Sequence, residues 1–486
     1  MSKRPNLIFL MPDQLRADFL GCYGAGFVQT PHIDRLAAQS VRYTRAYSTQ
    51  PICVPARASL LTGLNSLRTG VLDNGQWLRP DLAACGIHTW PELLARAGYF
   101  TAAVGKMHFY PWDLRHGFQY RVIAEDKRWL HVRDDYYHHL RRHGHHKYHG
   151  NEHPGYHENK GAIVNKLPWE LSVDHFVGAE TCRFLETYAG EQPFALMVGF
   201  PGPHCPYDPN QEYLDKIDPA AMPPAIPAVP ADSGRLRQAN IEGNLRPWNG
   251  VDYSDFPDET KRTIRAHYAA STQQIDHEIG AILATLEARG LADNTVILFA
   301  SDHGDYLGDH DLIGKGTFFE TSIHVPLLAH IPGGPTGISD HLVELTDVTA
   351  TLLALADVDP GFPQDAQPLP DLGLGRTPPR ELVTGFLAGG WFAYDGCWKL
   401  AKYAGGDQHL FDHATDPHEQ VNRIHDPTAA TELRRLDDAL THTAMRSVVL
   451  ANQERRVYSV DLSGSSRFGK EGWQRPYPRG FDIVDE

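Results

Sequence analysis

Three features are scarce in this chain: paired cysteines, positive charge and long apolar runs. The 486 residues contain six cysteines and no C-x-x-C pair, so the sequence indicates neither a disulfide framework nor a zinc ribbon. Acidic residues outnumber basic ones by 60 to 45, and the formal charge is −15. This argues against nucleic acid as a partner, because no basic run is available to neutralise phosphates. No apolar stretch reaches membrane-spanning length, which argues against a membrane partner.

The N-terminal stretch, MSKRPNLIFLMPDQLRAD, contains an apolar run that is short for a signal peptide and is interrupted by Asp13 and Arg16. We therefore expect a reduced, cytoplasmic protein. Its hydrophobic content of 42% and charged content of 22% are those of an ordinary soluble globular protein. The length alone predicts two or three domains.

Two apolar runs each end in a pair of polar residues. Asp13 and Gln14 follow PNLIFLM, and Asp302 and His303 follow the run from Val296 to Ala300. Continuous apolar runs suit strands that are buried on both faces of a parallel sheet, and open α/β sheets bind ligands beyond the carboxyl ends of such strands. The two pairs could therefore meet over one cation. Taken alone, however, an Asp-Gln pair after a strand is also a common turn or helix start.

Residues 49–63, TQPICVPARASLLTG, place Cys53, Pro55 and Arg57 in a C-x-P-x-R pattern. The apolar residues that follow recur at helical spacing until Gly63, and Pro55 suits a first helical turn because it has no N–H to lose there. Cys53 would then lie at a helix N-terminus, where free N–H groups and the charge of Arg57 favour an anion. A buried structural cysteine would give the same local pattern.

Four further side chains are candidates for charge stabilisation or proton transfer. Lys106 and His108 are two residues apart in an extended segment and should face the same way. His204 lies in a proline-rich loop after an apolar strand, and Lys315 is flanked by glycines in GKGTFFE. Each also has an ordinary explanation, as a solvated lysine, a structural histidine or a loop charge.

Together these motifs resemble the signature of the type I sulfatases, and they occur in family order from residue 5 to about residue 425. In that family a maturation enzyme oxidises the cysteine to formylglycine, and the hydrate of this aldehyde attacks the sulfur of a sulfate ester. The resemblance implies that Cys53 is modified in this way. It also implies a site for one divalent cation, formed by Asp13, Gln14, Asp302, His303 and modified Cys53. Catalytic roles around the sulfate are implied for Arg57, Lys106, His108, His204 and Lys315.

The resemblance assigns a role to each of these residues. Lys106 and Lys315 would hold sulfate oxygens, and His204, together with Lys315, would protonate the leaving oxygen. His108 would take a proton from the second hydroxyl, so that the aldehyde re-forms and sulfate leaves. Arg57 would add fixed positive charge around the transferred group.

Two ligand positions depart from the commoner family pattern. Gln14 replaces an acidic residue, and its amide oxygen can still bind a hard cation without adding charge. His303 replaces Asn, and imidazole is a softer ligand than an amide. Ca²⁺ is the favoured cation, with Mn²⁺ or Zn²⁺ as alternatives.

The proposed reaction is hydrolysis of sulfate monoesters, and the sequence leaves aryl, choline (alkyl) and sugar sulfates open as substrates. The alternative enzyme is a phosphonate monoester or phosphodiester hydrolase, which would share the Gln and His ligands. Relatives that use phosphonates tend to have uncharged hydroxyl-bearing residues in place of Lys106 and His108, which favours sulfate here. A non-catalytic binding protein or a histidine-rich metal binder is a further alternative.

The fold implied by the resemblance is an alkaline-phosphatase-like α/β protein. Its catalytic domain, residues 1–375, would contain a large, mostly parallel sheet flanked by helices. Residues 376–455 would form a smaller α+β domain with an antiparallel sheet and one helix. The tail, residues 456–486, contains Trp473, Tyr477 and Phe481, which we expect to dock on a neighbouring subunit of a homo-oligomer.

Two segments within these domains are predicted to be irregular, and a third to be an insertion. Residues 219–258 should form a long surface loop, and residues 358–380 a linker rich in proline and glycine. Residues 131–157 contain nine of the 27 histidines. Because they lack regular ligand spacing, we predict an insertion that shapes the mouth of the pocket.

Overall fold

The computed structural model describes residues 4–229, 234–375 and 377–455. The aromatic tail falls outside these ranges, so its docking on a neighbouring subunit stays a prediction. Among the described residues, no helix has both the length and the apolar character needed to cross a membrane.

The main sheet has eight strands in the order β5-β4-β6-β1-β7-β8-β2-β9. The five strands from β5 to β7 are mutually parallel, whereas β8 runs antiparallel to both of its neighbours. A separate pair, β3 and β10, is also parallel. The strands are β1 Asn6–Asp13, β2 Val41–Tyr43, β3 Ala46–Tyr47, β4 Phe100–Gly105, β5 Tyr120–Ile123, β6 Phe194–Pro203, β7 Thr295–Ala300, β8 Leu327–His330, β9 Gly337–Ser339 and β10 Val343–Glu344.

Helices cover both faces of this sheet. The helices are α1 Pro31–Ala38, α2 Cys53–Thr62, α3 Ser66–Thr69, α4 Trp90–Arg96, α5 Asp135–Arg142, α6 Val173–Thr187, α7 Gln211–Leu214, α8 Arg235–Asn244, α9 Asp258–Ala288, α10 Glu320–Ile323, α11 Asp347–Leu355 and α12 Ala430–Glu454. Side chains of α1, α6 and α9 share one hydrophobic core with the sheet, and those of α2, α4 and α11 share a second core on the opposite face.

The pattern of burial explains why the central strands are apolar throughout. Every residue of β1, β6 and β7 is buried, because successive side chains point to opposite faces and both faces are covered by helices. Their carboxyl ends lie at the same edge of the sheet, as parallel strands require. Asp13, His204 and Asp302 lie at or just after these strand ends, and Lys106 directly follows the neighbouring parallel strand β4.

A four-stranded antiparallel sheet follows along the chain: β11 Val383–Leu387, β12 Gly390–Tyr394, β13 Trp398–Tyr403 and β14 Gln408–Asp412. Helix α12 packs on it through Leu436, Leu440 and Ala444. The buried ammonium of Lys399 pairs with Glu419 and lies 3.4 Å from Glu320 of the main domain. The predicted fold class, a large mostly parallel sheet plus a small antiparallel one, is confirmed.

The loop predicted for residues 219–258 is wrong in part, because α8 occupies Arg235–Asn244. Its sequence, RLRQANIEGN, contains good helix formers that the surrounding Pro, Ala and Gly obscured. The linker predicted for residues 358–380 lacks regular structure in its described part but is packed, since Gln364 donates to the Thr62 carbonyl at 2.9 Å and Leu369 is buried. The histidine-rich segment contains α5.

Candidate active site

Cys53 begins helix α2, as the C-x-P-x-R pattern predicts. The preceding residue, Ile52, is extended, and Gly63 ends the helix in the left-handed conformation with a φ of 72°, which glycine adopts without a steric penalty. The thiol is 1% exposed. Its Sγ lies 3.2 Å from Nε2 of His303 and 3.8 Å from Oδ1 of Asp13.

Arg57 joins the two strand-end carboxylates. Its Nη2 lies 2.9 Å from Oδ2 of Asp13, and its Nε donates to Oδ2 of Asp302 at 3.0 Å. Its Nη1 also donates to the carbonyl of Lys106 at 2.6 Å. Because guanidinium presents several donors in a rigid plane, one side chain fixes residues from three strand ends.

Gln14 reaches the site through an unusual backbone conformation. Adjacent strand residues point to opposite faces, but Gln14 has a φ of 67° and so leaves the strand alternation after Asp13. Its N–H donates to Oδ1 of Asp302 at 2.9 Å, and its carbonyl accepts from the Tyr268 hydroxyl at 2.6 Å. These two bonds support a conformation that is costly for a residue with a side chain.

Lys106 and His108 both face Cys53, but the extended backbone predicted for them is wrong. Gly105 has a φ of 95° and His108 a φ of 60°, so the chain turns sharply within this segment. Nζ of Lys106 lies 2.8 Å from Asp13. The side chain of His108 interacts with the Cys53 thiol and packs edge-on against Trp129, with 4.6 Å between ring centroids.

The buried charges strongly influence one another. Burial favours a neutral Cys53, yet Lys315, Lys106 and His303 together lower the pKa of its thiol well below the usual range. Burial and the neighbouring Asp13 raise the pKa of the Asp302 carboxyl. The site thus stabilises an anion at position 53.

Lys315 and His204 form a direct pair, with 2.5 Å between Nζ and Nε2. Nδ1 of His204 lies 2.7 Å from the Cys205 carbonyl; since a carbonyl can only accept, this nitrogen carries the proton. Burial and the charges of Lys315 and Arg128 lower the pKa of His204 to about 3. His204 is therefore neutral, and its Nε2 accepts from the ammonium.

The residues around Cys53 fit a divalent cation. Ligand atoms of Asp13, Cys53, Asp302 and His303 all lie within 4.8 Å of one another, and all four side chains are buried. Nδ1 of His303 faces the Gly304 carbonyl at 2.9 Å, so Nε2 is the nitrogen without a proton when the imidazole is neutral, and it is directed at the site. Carboxylate oxygens suit hard cations and an imidazole nitrogen suits softer ones. Two buried carboxylates with one imidazole can therefore bind a divalent cation of intermediate hardness.

A cavity of 740 Å³ lies next to this cluster, since Ile52, His108 and Lys315 line it, although none of the four cluster residues does. His108, Lys315 and Trp129 line it from the catalytic side, while Leu236 of α8 and Tyr403 of the antiparallel sheet form other parts of its wall. None of residues 131–157 lines it, so the histidine-rich segment does not shape the pocket mouth directly, contrary to our prediction. Its Tyr156 lies behind the wall, where its hydroxyl bonds to Asn249.

The structure brings all ten predicted site residues together, and their individual roles stay predictions. Two residues of the site were not predicted from the sequence. Asp305 bonds to Gln14 and to Tyr207. Arg128 pairs with Asp126, lies 3.3 Å from His204 and stacks on Trp248. A cluster of charges such as EDKR usually indicates a solvated turn, so nothing local distinguishes these residues.

Comparisons with known proteins agree with this geometry. A family model described as Sulfatase matches residues 5–358. A choline-sulfatase from Rhizobium meliloti is 29% identical over 95% of this chain and 89% of its own length. An arylsulfatase from Clostridium perfringens is 30% identical over 73% of this chain and 75% of its own.

Solved structures of other hydrolases share the fold. The phosphonate monoester hydrolase of Agrobacterium radiobacter superposes with a TM-score of 0.75 at 25% identity, covering 93% of this chain and 96% of that one. The match of the sulfatase model spans more than half of the present chain, and it includes the C-x-P-x-R helix and both strand-end pairs. The chain therefore belongs to the sulfatase family, whose members are hydrolases of sulfuric esters.

Proposed function

We propose that this chain hydrolyses sulfate monoesters with a formylglycine made from Cys53 and one divalent cation. The observation that carries the proposal is the buried cluster of Asp13, Cys53, Asp302 and His303, whose ligand atoms lie within 4.8 Å of one another. Its neighbours His108 and Lys315 line the adjacent cavity. Formylglycine, formed by a maturation enzyme, would supply the hydroxyl nucleophile through its hydrate.

Asp13, Gln14, Asp302, His303 and the oxygen of modified Cys53 would hold the cation. When bound, it would supply Lewis-acid polarisation of the sulfate and lower the pKa of the nucleophilic hydroxyl. Arg57 keeps both carboxylates in place through its 2.9 and 3.0 Å bonds. The oxygen ligands favour Ca²⁺, and the imidazole of His303 favours Mn²⁺ or Zn²⁺.

Lys106 and Lys315 would hold the sulfate oxygens and offset the negative charge that grows during S–O cleavage. The proton for the leaving oxygen would come from Lys315 rather than from His204. Nε2 of His204 carries a lone pair, and Nζ of Lys315 lies 2.5 Å from it; His204 would therefore orient the ammonium. His108, whose side chain faces position 53, would accept the proton of the second hydroxyl.

Phosphonate monoester hydrolysis is the second candidate, because the Agrobacterium enzyme of that name shares the fold at 25% identity. The buried charge of Lys106 favours sulfate over phosphonate. A sulfate monoester keeps three terminal oxygens, and an ammonium can share the charge on any of them. A phosphonate monoester places a carbon substituent where one of those oxygens would be, and a buried cation gains nothing from it.

The deciding measurement compares the sulfate and phenylphosphonate esters of one phenol, with fully modified, metal-loaded enzyme. We expect kcat/KM to favour the sulfate ester. A ratio that favours the phosphonate would replace the proposed reaction with the second candidate. Turnover of neither ester by enzyme with confirmed formylglycine would contradict both.

A further inference from the structure

Asp305 is a fully buried carboxylate at the meeting point of three segments that carry proposed site residues. Its Oδ1 accepts from the backbone N–H of Leu307 at 3.0 Å and of Gly314 at 2.9 Å, next to Lys315. Its Oδ2 accepts from the Tyr207 hydroxyl at 2.8 Å and from Nε2 of Gln14. None of the proposed catalytic steps involves Asp305.

The contacts of Gln14 define which way its amide points. Nε2 faces the carboxylate of Asp305, and Oε1 faces the ammonium of Lys315. The reverse orientation would place oxygen against a carboxylate and NH₂ against a cation, and both contacts would be repulsive. The amide is therefore held from both ends with its oxygen directed away from Asp305.

We propose that Asp305 is a positioning residue that turns Gln14 into an oxygen ligand of the cation. A carboxylate directly at position 14 would lie against Asp305, and two buried like charges in contact are strongly unfavourable. The chain instead combines a neutral ligand with a carboxylate one hydrogen bond further out. Outer partners of this kind orient metal ligands and contribute to metal affinity. The inference rests on the proposed cation site.

Asp305→Asn tests the role, because an amide can keep the two backbone bonds through its oxygen but must direct NH₂ toward Gln14. Two NH₂ groups would then face each other, and Gln14 would rotate its oxygen away from the site. We expect the dissociation constant for Mn²⁺, measured by calorimetry on the full-length protein, to rise about 10–100-fold.

In the reciprocal swap, Gln14→Glu with Asp305→Asn, the new carboxylate at position 14 accepts from the new NH₂ group at position 305. The total charge of the pair does not change. We expect the swapped protein to recover what Asp305→Asn loses, whether that loss appears in Mn²⁺ affinity or in folding followed by circular dichroism. A general loss of packing would not be recovered by a second substitution at a buried site.

Asp276→Asn is the matched control. Asp276 is also buried and also accepts backbone N–H groups, from His32 and Ile33, but it contacts α1 rather than the site. We expect the Mn²⁺ affinity of the Asp276→Asn variant to stay within about twofold of that of the unsubstituted protein.

Three outcomes would overturn the inference. In the first, the Mn²⁺ affinity of Asp305→Asn stays within about twofold of that of the unsubstituted protein. In the second, the swap fails to recover affinity or folding. Either result would show that Asp305 does not position Gln14 and would leave the proposed cation site intact. If the unsubstituted protein binds neither Mn²⁺ nor Ca²⁺, the cation site fails and this inference fails with it.

Discussion

The proton donor can be identified by replacing Lys315 with Met, which removes the ammonium but keeps a side chain of similar length. The structure indicates that His204 cannot act as a resident acid, since its pKa is about 3. Protonating it at about pH 7 would cost on the order of 5 kcal/mol, at about 1.4 kcal/mol for each pH unit. Lys315 is therefore the proposed donor of the proton to the leaving oxygen.

General acid catalysis contributes about 10²–10⁴-fold when the leaving group is strongly basic. We therefore expect Lys315→Met to lower kcat/KM by about this factor for an alkyl sulfate, and much less for a nitrophenyl sulfate, whose oxygen leaves without a proton. His204→Ala should show the same selectivity with a smaller loss. In that variant Lys315 keeps its proton and its contact with Gln14 but loses the 2.5 Å partner that orients it.

The assay measures kcat/KM across sulfate esters whose leaving groups differ in basicity. Arg246→Met serves as the control, because Arg246 lines the cavity and its loss removes a positive charge without removing the proposed donor. Its effect should be the same on every ester. Equal losses of Lys315→Met on all esters would exclude Lys315 as the acid, and a larger selective loss for His204→Ala would assign the acid to His204.

Three further predictions follow from single residues. Cys53→Ala should abolish turnover while the chain stays folded, and intact-mass analysis of the unsubstituted active enzyme should show formylglycine; an active enzyme with an unmodified thiol would contradict this. Gly105→Ala should lower the unfolding free energy by at least about 1–3 kcal/mol, because its φ is 95° and a Cβ would lie 2.1 Å from the Gly199 carbonyl oxygen; an unchanged denaturation midpoint would refute that reading. Burial raises the pKa of Asp276 from 3.8 to about 7, so the folded chain binds a proton on this carboxyl more tightly than the unfolded chain does. The stability that the protonated carboxyl contributes is therefore lost as the pH rises from 3.8 to about 7. Asp276→Asn should therefore gain stability relative to the unsubstituted protein as the pH rises from about 4 to about 7, and a difference in midpoint that does not change with pH would contradict the assignment.

The predictable part of the site consists of residues whose positions follow from local sequence. An apolar run followed by a polar pair indicates a buried strand and its end, and parallel strands bring such ends together. Cys53 and Arg57 follow from helical spacing and from a proline that marks the first turn. These features predict the buried parallel strands and the clustering of Asp13 with Asp302, whereas the fold class as a whole is implied by the resemblance to the sulfatases.

The other features of the site and the fold could not be predicted from the sequence, because they depend on contacts between residues that are far apart in the chain. Asp305 bonds to a residue 291 positions away, and no local pattern distinguishes it from other acidic loop residues. The left-handed backbone of Gln14 is supported by Asp302 and Tyr268, so the residue itself gives no hint of it. Helix α8 contains good helix formers, but the surrounding Pro, Ala and Gly favour a loop. Its packing on the Lys315 loop, where Asn240 donates to the Ile313 carbonyl at 2.8 Å, depends on a distant part of the chain.

Gln14 connects the proposed cation site to the proposed proton donor, and this connection gives the reciprocal swap a second expected result. The ammonium of Lys315 contacts the neutral amide oxygen of Gln14 and the lone pair of His204, and neither of these partners carries a negative charge. A glutamate at position 14 would form an ion pair with Lys315 and favour its charged form. Lys315 would then release its proton less readily, and the loss should be greatest for basic leaving groups. We therefore expect Gln14→Glu with Asp305→Asn to recover Mn²⁺ affinity without recovering turnover of alkyl sulfates, while nitrophenyl sulfate turnover recovers more fully. Equal recovery on both esters would show that the charge at position 14 does not control the donor.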